Sequence, residues 1–332
     1  MARPYALLRS GFPYHMTLGM RRVTSNAVDI ALGPTGTIYV LCRGTLGTEV
    51  RLINWKDDNL GTIGNGILKW PSSILCDKDE NVYVSDEAHN KVFVFNSKGS
   101  LDTSWGVKGN QSGCFNRPTG MAFDINQNIY LSDALNHRIQ KYTSDGSFIN
   151  QFGSFGHNAG ELNMPWGIAI DELSDIYVAD WRNDRIQKFS NNGDFLMNFG
   201  VTGVGSGEFN RPTGIAVDKD GDIYVADWGN NRIQLFNASG HYIEGFIGDA
   251  NLSVSGRQYV LANPVTLRLR DMAYIEEGKR FRGPISVKVD QEGHMLVPDF
   301  GSHRIQVYKK ESYPLTADQI APELRNPVLF TT

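Results

Sequence analysis

Short apolar runs and polar turn clusters alternate along this chain at a regular beat. Between Arg211 and Phe246, Ile215-Ala216-Val217 is followed by the turn Asp218-Lys219-Asp220-Gly221-Asp222, where Asp-Gly signals a hairpin. Ile223 to Asp227 forms a second run, and Trp228-Gly229-Asn230-Asn231 turns the chain again. Arg232 to Phe236 alternates polar and apolar positions as a strand does. Asn237 to Gly240 is a further turn, and Tyr242 to Phe246 is a fourth strand. The pattern predicts four short antiparallel strands separated by tight turns.

The unit recurs. Pro71, Pro118, Pro165 and Pro212 follow one another at a constant step of 47 residues, and Pro284 follows after one step plus a 25-residue insertion. Fifteen residues after each proline stands an aspartate: Asp86, Asp133, Asp180, Asp227 and Asp299. A fixed period of this size marks a solenoid, propeller or array, and four strands per repeat describe a propeller blade. A degenerate copy precedes the others, with Ala27 to Leu32 and Ile38-Tyr39-Val40 as its first two strands and Cys42 in place of the aspartate. The expected fold is therefore all-β, a six-bladed propeller. Blades span about 27–64, 65–111, 112–158, 159–205, 206–248 and 284–310. The last ends after three strands, and residues 11–19 resemble a fourth strand, so the N-terminal segment is expected to close the ring and remove exposed sheet edges. Residues 249–283 read as an insertion and 311–332 as an irregular tail.

Composition narrows the picture. A propeller uses most of the 332 residues, which predicts one domain. The formal net charge of −4 makes nucleic acid an unlikely partner, because phosphate binding needs clustered Lys and Arg. Arg43, Arg117, Arg182 and Arg211 are the candidates for a basic face, but acidic residues are interleaved with them. Three scattered cysteines form no disulfide framework. The N-terminus lacks the apolar core of a signal peptide, and no apolar run is long enough to span a membrane. A soluble cytoplasmic protein is expected.

The repeats resemble the NHL family: Asn136-His137-Arg138-Ile139 is close to its signature, and the resemblance covers roughly Ala27 to Tyr308. It implies a ring whose ligands bind on the face where the loop into the first strand and the turn after the second strand emerge. That points to Arg43, Glu87, His89, Trp166, Trp181, Arg182, Trp228 and Phe300. Arg43 is the most pointed of these, because blade one reads Cys42-Arg43-Gly44 where other copies have the aspartate, and a guanidinium can bond two oxygens of an anion. Trp166, Trp181 and Trp228, from successive blades, would form an aromatic wall. The repeated aspartates instead read as structural, bonding backbone amides or the arginine five residues on, and His137 and His303 as part of the repeat.

The chain is also distantly similar to peptidyl-hydroxyglycine amidating lyases, whose blade one carries an Arg-Gly like Arg43-Gly44. That family holds zinc on histidines after the corner prolines. Here those positions are Ser72, Thr119, Trp166, Thr213 and Ile285, so no zinc-ligand pattern is present. The turn Asp218 to Asp222 looks like a fragment of a calcium loop without its bidentate Glu. The expected function is a top-face pocket for a small, anionic, partly apolar molecule, with the 249–283 insertion closing over it and lyase or hydrolase chemistry as one use. The alternative is a non-catalytic scaffold docking a protein partner on the same face.

Overall fold

The structure, a computed structural model, describes residues 6–44, 47–263 and 275–315. Six four-stranded antiparallel sheets follow one another along the chain. Blade one comprises Ala27–Leu32, Ile38–Gly44, Gly47–Ile53 and Asn59–Ile63. In the second to fifth blades the corner proline opens the first strand, as in Pro165–Ile170, and the second strand ends on the aspartate, as in Ile176–Asp180. The sixth is built from Lys288–Val289, His294–Asp299 and Arg304–Lys309, and its fourth strand is Tyr14–Leu18 from the other end of the chain, paired antiparallel to Arg304–Lys309. The N-terminal strand thus closes the ring as expected.

Apolar residues of one blade pack against the next. One cluster joins Tyr177, Ala179 and Ile186 of blade four to Ile215, Ile223, Val225 and Phe236 of blade five. Each buried Ile, Val or Phe contributes about 1.5–3 kcal/mol, so adjacent blades stabilise each other and the closed ring leaves none without a neighbour.

Each repeated aspartate is fully buried and is a hydrogen-bond hub. Asp180 accepts from the Asn163 amide at 2.7 Å, Asn183 Nδ2 at 2.8 Å, Arg185 Nε at 2.9 Å and Gln187 Nε2 at 3.1 Å. Asp133 and Asp227 repeat the arrangement. A second set of bonds links neighbouring blades. The residue four places after the aspartate adopts a left-handed φ and accepts from an amide that leads into the next blade. Asn90 accepts from Arg117, His137 Nδ1 from Met164, Asp184 from Arg211, Asn231 from Gly283 and His303 Nδ1 from Asn26. His137 and His303 are therefore latches between blades.

Three expectations change at the periphery. Glu311–Leu315, expected to be irregular, is a strand paired with Ala6–Gly11; the tail beyond it, 316–332, lies outside the described residues. The calcium-like hairpin is filled by the chain itself: Lys310 Nζ, buried, lies 2.6 Å from Asp218, 2.8 Å from Asp220 and 2.8 Å from Asp222. Blades three and four satisfy the equivalent aspartates with their own Lys141 and Lys188, whereas blade five has Leu235 at that register. Lys310 supplies the missing ammonium from the C-terminal segment. Finally, no described residue of the insertion lines the central cavity. Its helix Val254–Leu261 is capped by Ser253 and bonds to blade one. Ser255 donates to Asp57, and Thr17 to the Asn251 carbonyl. Residues 264–274 of the insertion lie outside the described residues.

Candidate functional site

The corner before each first strand and the turn after each second strand meet around the ring axis. They enclose a cavity of about 290 Å³ lined by Arg43, Trp70, Arg117, Trp166, Trp181, Thr213, Trp228, Ile285 and Phe300. Below it the ring tightens to a space of about 20 Å³, because the first strands converge where Gly120, Gly167 and Gly214 lie. A Cβ on Gly120 would sit 2.3 Å from the Trp166 carbonyl oxygen, and one on Gly167 2.3 Å from that of Thr213. Only glycine permits this approach. The cavity is therefore floored, and a ligand enters from the top.

Arg43 is placed by the departure of blade one from the repeat. In blades three to six the aspartate pairs with the arginine five residues on and a short 3-10 turn follows, as at Trp181–Asn183. In blade one the ladder continues two pairs further, through Cys42 with Glu49, Arg43 with Thr48 and Gly44 with Gly47. Arg43 thus stands on a strand. Its guanidinium lies 4.7 Å from the Trp70 ring centroid and 5.9 Å from that of Phe300. Its side chain is only 13% exposed, and the nearest carboxylate oxygen, Glu87 Oε1, is 4.0 Å away. Among the described residues the guanidinium donates no hydrogen bond. Burial lowers the Arg43 pKa from the ordinary arginine value and Arg117 adds to this, while Glu87 opposes both; the group stays charged.

Glu87 is already engaged. Ser72 Oγ donates to Oε1 and Arg117 Nε to Oε2. The Arg117 guanidinium also lies over Trp166 at 5.4 Å, and that of Arg211 over Trp181 at 4.9 Å. Trp166 and Trp181 pack on each other with centroids 5.6 Å apart. The wall is therefore a series of arginine–tryptophan stacks, a favourable pairing of cation and ring quadrupole.

Of the residues expected at the site, Arg43, Trp166, Trp181, Trp228 and Phe300 line the cavity. Glu87 stands at its edge, bonded as described. His89 and Arg182 lie outside the lining. His89 faces Asp86 at 3.1 Å and sits edge-on to Phe93, because its place in the repeat is that of Asn136, whose side chain serves the aspartate hub. Arg182 lies beside the Trp181 ring, on the exposed side of the turn. The sequence did not point to Trp70, and it offered Arg117 only for a basic face; each precedes a corner proline, whereas the expected site drew on the residues that follow it. Residues before proline normally favour extended backbone, but Arg117 and Arg211 have φ of 65° and 57°. The blade latches hold their amides in that conformation.

Among the described residues no group of three or more His, Cys, Asp or Glu is arranged to hold a metal ion, and no helix is long and apolar enough to cross a membrane. A family model described as NHL repeat matches residues 162–189 and 209–236. A second, described as 6-bladed beta-propeller, matches residues 67–152. The chain folds as a six-bladed β-propeller and carries NHL repeats. No curated protein sequence matches it. Solved propellers share the fold at low identity. Virginiamycin B lyase from Staphylococcus aureus is 17% identical with a TM-score of 0.58, covering 92% of this chain and 89% of that one. A gluconolactonase from Xanthomonas campestris is 12% identical with a TM-score of 0.62, covering 92% and 100%. A protein of unknown function from Bacteroides thetaiotaomicron is 18% identical with a TM-score of 0.63, covering 93% and 76%. At these identities the likeness is one of fold, which hosts many chemistries.

Proposed function

We propose that this NHL propeller binds, in its top-face cavity, a ligand group that is flat and apolar on one side and anionic on the other. The observation that carries the reading is the Arg43 guanidinium, largely buried, charged and without a hydrogen-bond partner among the described residues, at the wall of an otherwise aromatic cavity. A largely buried guanidinium with no hydrogen bond and only a long ion pair, 4.0 Å to Glu87, is costly, and a ligand carboxylate or phosphate on the cavity side would satisfy it with charge-assisted bonds. Trp181, Trp228 and Ile285 would cover the apolar part. The same anchor serves a free small molecule or a side chain of a protein partner. The lyase and the gluconolactonase that share the fold invite a catalytic reading, but it finds less support: Glu87, the carboxylate at the cavity edge among the described residues, is occupied by Ser72 and Arg117 rather than free to move a proton.

The test is a titration of the protein with indole-3-acetate, a flat apolar carboxylate, followed by tryptophan fluorescence and calorimetry. Saturable one-site binding is expected, with Arg43→Ala weakening it at least tenfold at an unchanged melting temperature. Binding that ignores Arg43→Ala, or no saturable binding, would overturn the proposal. A variant that melts early would show Arg43 to be structural.

A further inference from the structure

The cavity is not isolated on its face. It shares Trp70 and Arg117 with a groove of about 420 Å³ between blades two and three, where Asn90, Lys108, Asn116 and Leu135 contribute. On the opposite side it shares Trp228 with a groove of about 490 Å³ that includes Asn210, Arg211 and Asn231, on the approach to blade six. Through these shared residues the three spaces adjoin one another across the face.

The lining has a consistent chemistry. Lys108, Arg43, Arg117 and Arg211 bring four cations against one carboxylate, Glu87, in a chain whose formal net charge is −4. Amide side chains stand in both grooves, suited to the alternating donors and acceptors of an extended backbone. Exposed apolar groups flank these spaces: Trp70 is 52% exposed and Leu135 41%.

Resting on the binding reading above, we infer that the occupant is an extended acidic peptide segment of a protein partner, lying across the three spaces with one aromatic side chain in the central cavity and acidic side chains toward Arg43, Lys108 and Arg211. Charge complementarity of this kind selects partners and speeds their encounter. A single-stranded nucleic acid would also meet cations and aromatic rings, but it needs open ring faces on which successive bases stack. Here Trp70, Trp166 and Trp181 carry Arg43, Arg117 and Arg211 on their faces.

The experiment uses the full chain and three probes: indole-3-acetate, a fluorescein-labelled decapeptide library with a fixed central tryptophan and Asp/Glu flanks, and a labelled ten-nucleotide oligouridine. The double variant Lys108→Glu/Asn210→Asp adds negative charge to each groove and leaves the central lining intact. The expected result is a library peptide binding at least tenfold tighter than indole-3-acetate, weakened at least tenfold by the double variant, with indole-3-acetate affinity unchanged within twofold. Binding of indole-3-acetate with no tighter peptide, or peptide binding insensitive to the double variant, would overturn the extended-ligand inference and leave the central site standing. Failure of every probe would overturn both. Oligouridine binding tighter than any peptide would replace the peptide by nucleic acid.

Discussion

Blade four and blade one occupy equivalent places in the ring and solve the same corner differently. In blade four, Asp180 is buried at the end of its strand and ties together the backbone of Asn163 and the side chains of Asn183, Arg185 and Gln187. The corner is complete, and no donor of that hub faces the axis unpaired. In blade one, Cys42 takes the aspartate's position, buried, and its thiol is pushed up to about 12 by that burial. The hub is gone, Glu49 and Arg51 pair with each other, and the ladder runs on until Arg43 reaches the cavity wall. The comparison teaches that the repeated carboxylate is an element of architecture. Where one copy gives that element up, a largely buried guanidinium reaches the cavity wall instead.

If that is right, the same residue type has opposite effects in the two blades. Asp180→Ala should cost the most, about 3–5 kcal/mol, because it removes the carboxylate partner of Arg185 Nε and leaves buried amides without their acceptor; urea unfolding measures it. Cys42→Asp, which restores the repeat's residue to blade one, should destabilise rather than stabilise, by about 3 kcal/mol. The new carboxylate would be buried beside Glu49 with no matching arginine five residues on, since Gly47 stands there. A rise in stability for this variant would break the comparison.

The smallest effect concerns the latches. His137 and His303 accept amide bonds at Nδ1, and burial, helped by Arg182 and Arg21 respectively, lowers the pKa of each below the ordinary histidine value. The unfolded chain then binds protons more readily than the folded one, so stability rises with pH through this range. The contribution is full above about pH 6.5 and is lost as pH falls toward the depressed folded values. Blades two and five use Asn90 and Asn231 at the same place, so His137→Asn/His303→Asn should keep the latches and flatten the fall in melting temperature between pH 7 and 5. The difference should be about 1 kcal/mol or less. An identical pH profile in the variant would remove the latches from the account of acid sensitivity.

Much of the site could be read from the repeat. The period placed the corner and the turn on one face, and so brought Trp166, Trp181, Trp228, Phe300 and Arg43 within reach of one another. The reading failed where repeat position and side-chain direction part company. His89 fills an asparagine's place and turns to its own aspartate. Trp70 and Arg117 enter the site from before the proline, since an inter-blade bond holds the Arg117 backbone left-handed. The acidic hairpin of blade five looked like a cation site and is one, but its cation is Lys310, about ninety positions away along the chain.

The sequence by itself determined the ring: the strand alternation, the turn residues, the 47-residue step and the N-terminal strand that completes the last blade are all local or periodic signals. Only the tertiary structure decided which side chains share a space. That outcome depends on contacts between blades, on Glu87 being divided between Ser72 and Arg117, and on the insertion helix bonding to Asp57. The physical reason is that periodic burial dictates where strands lie, whereas the partner of a charge is set by whatever neighbouring blade brings within hydrogen-bond distance.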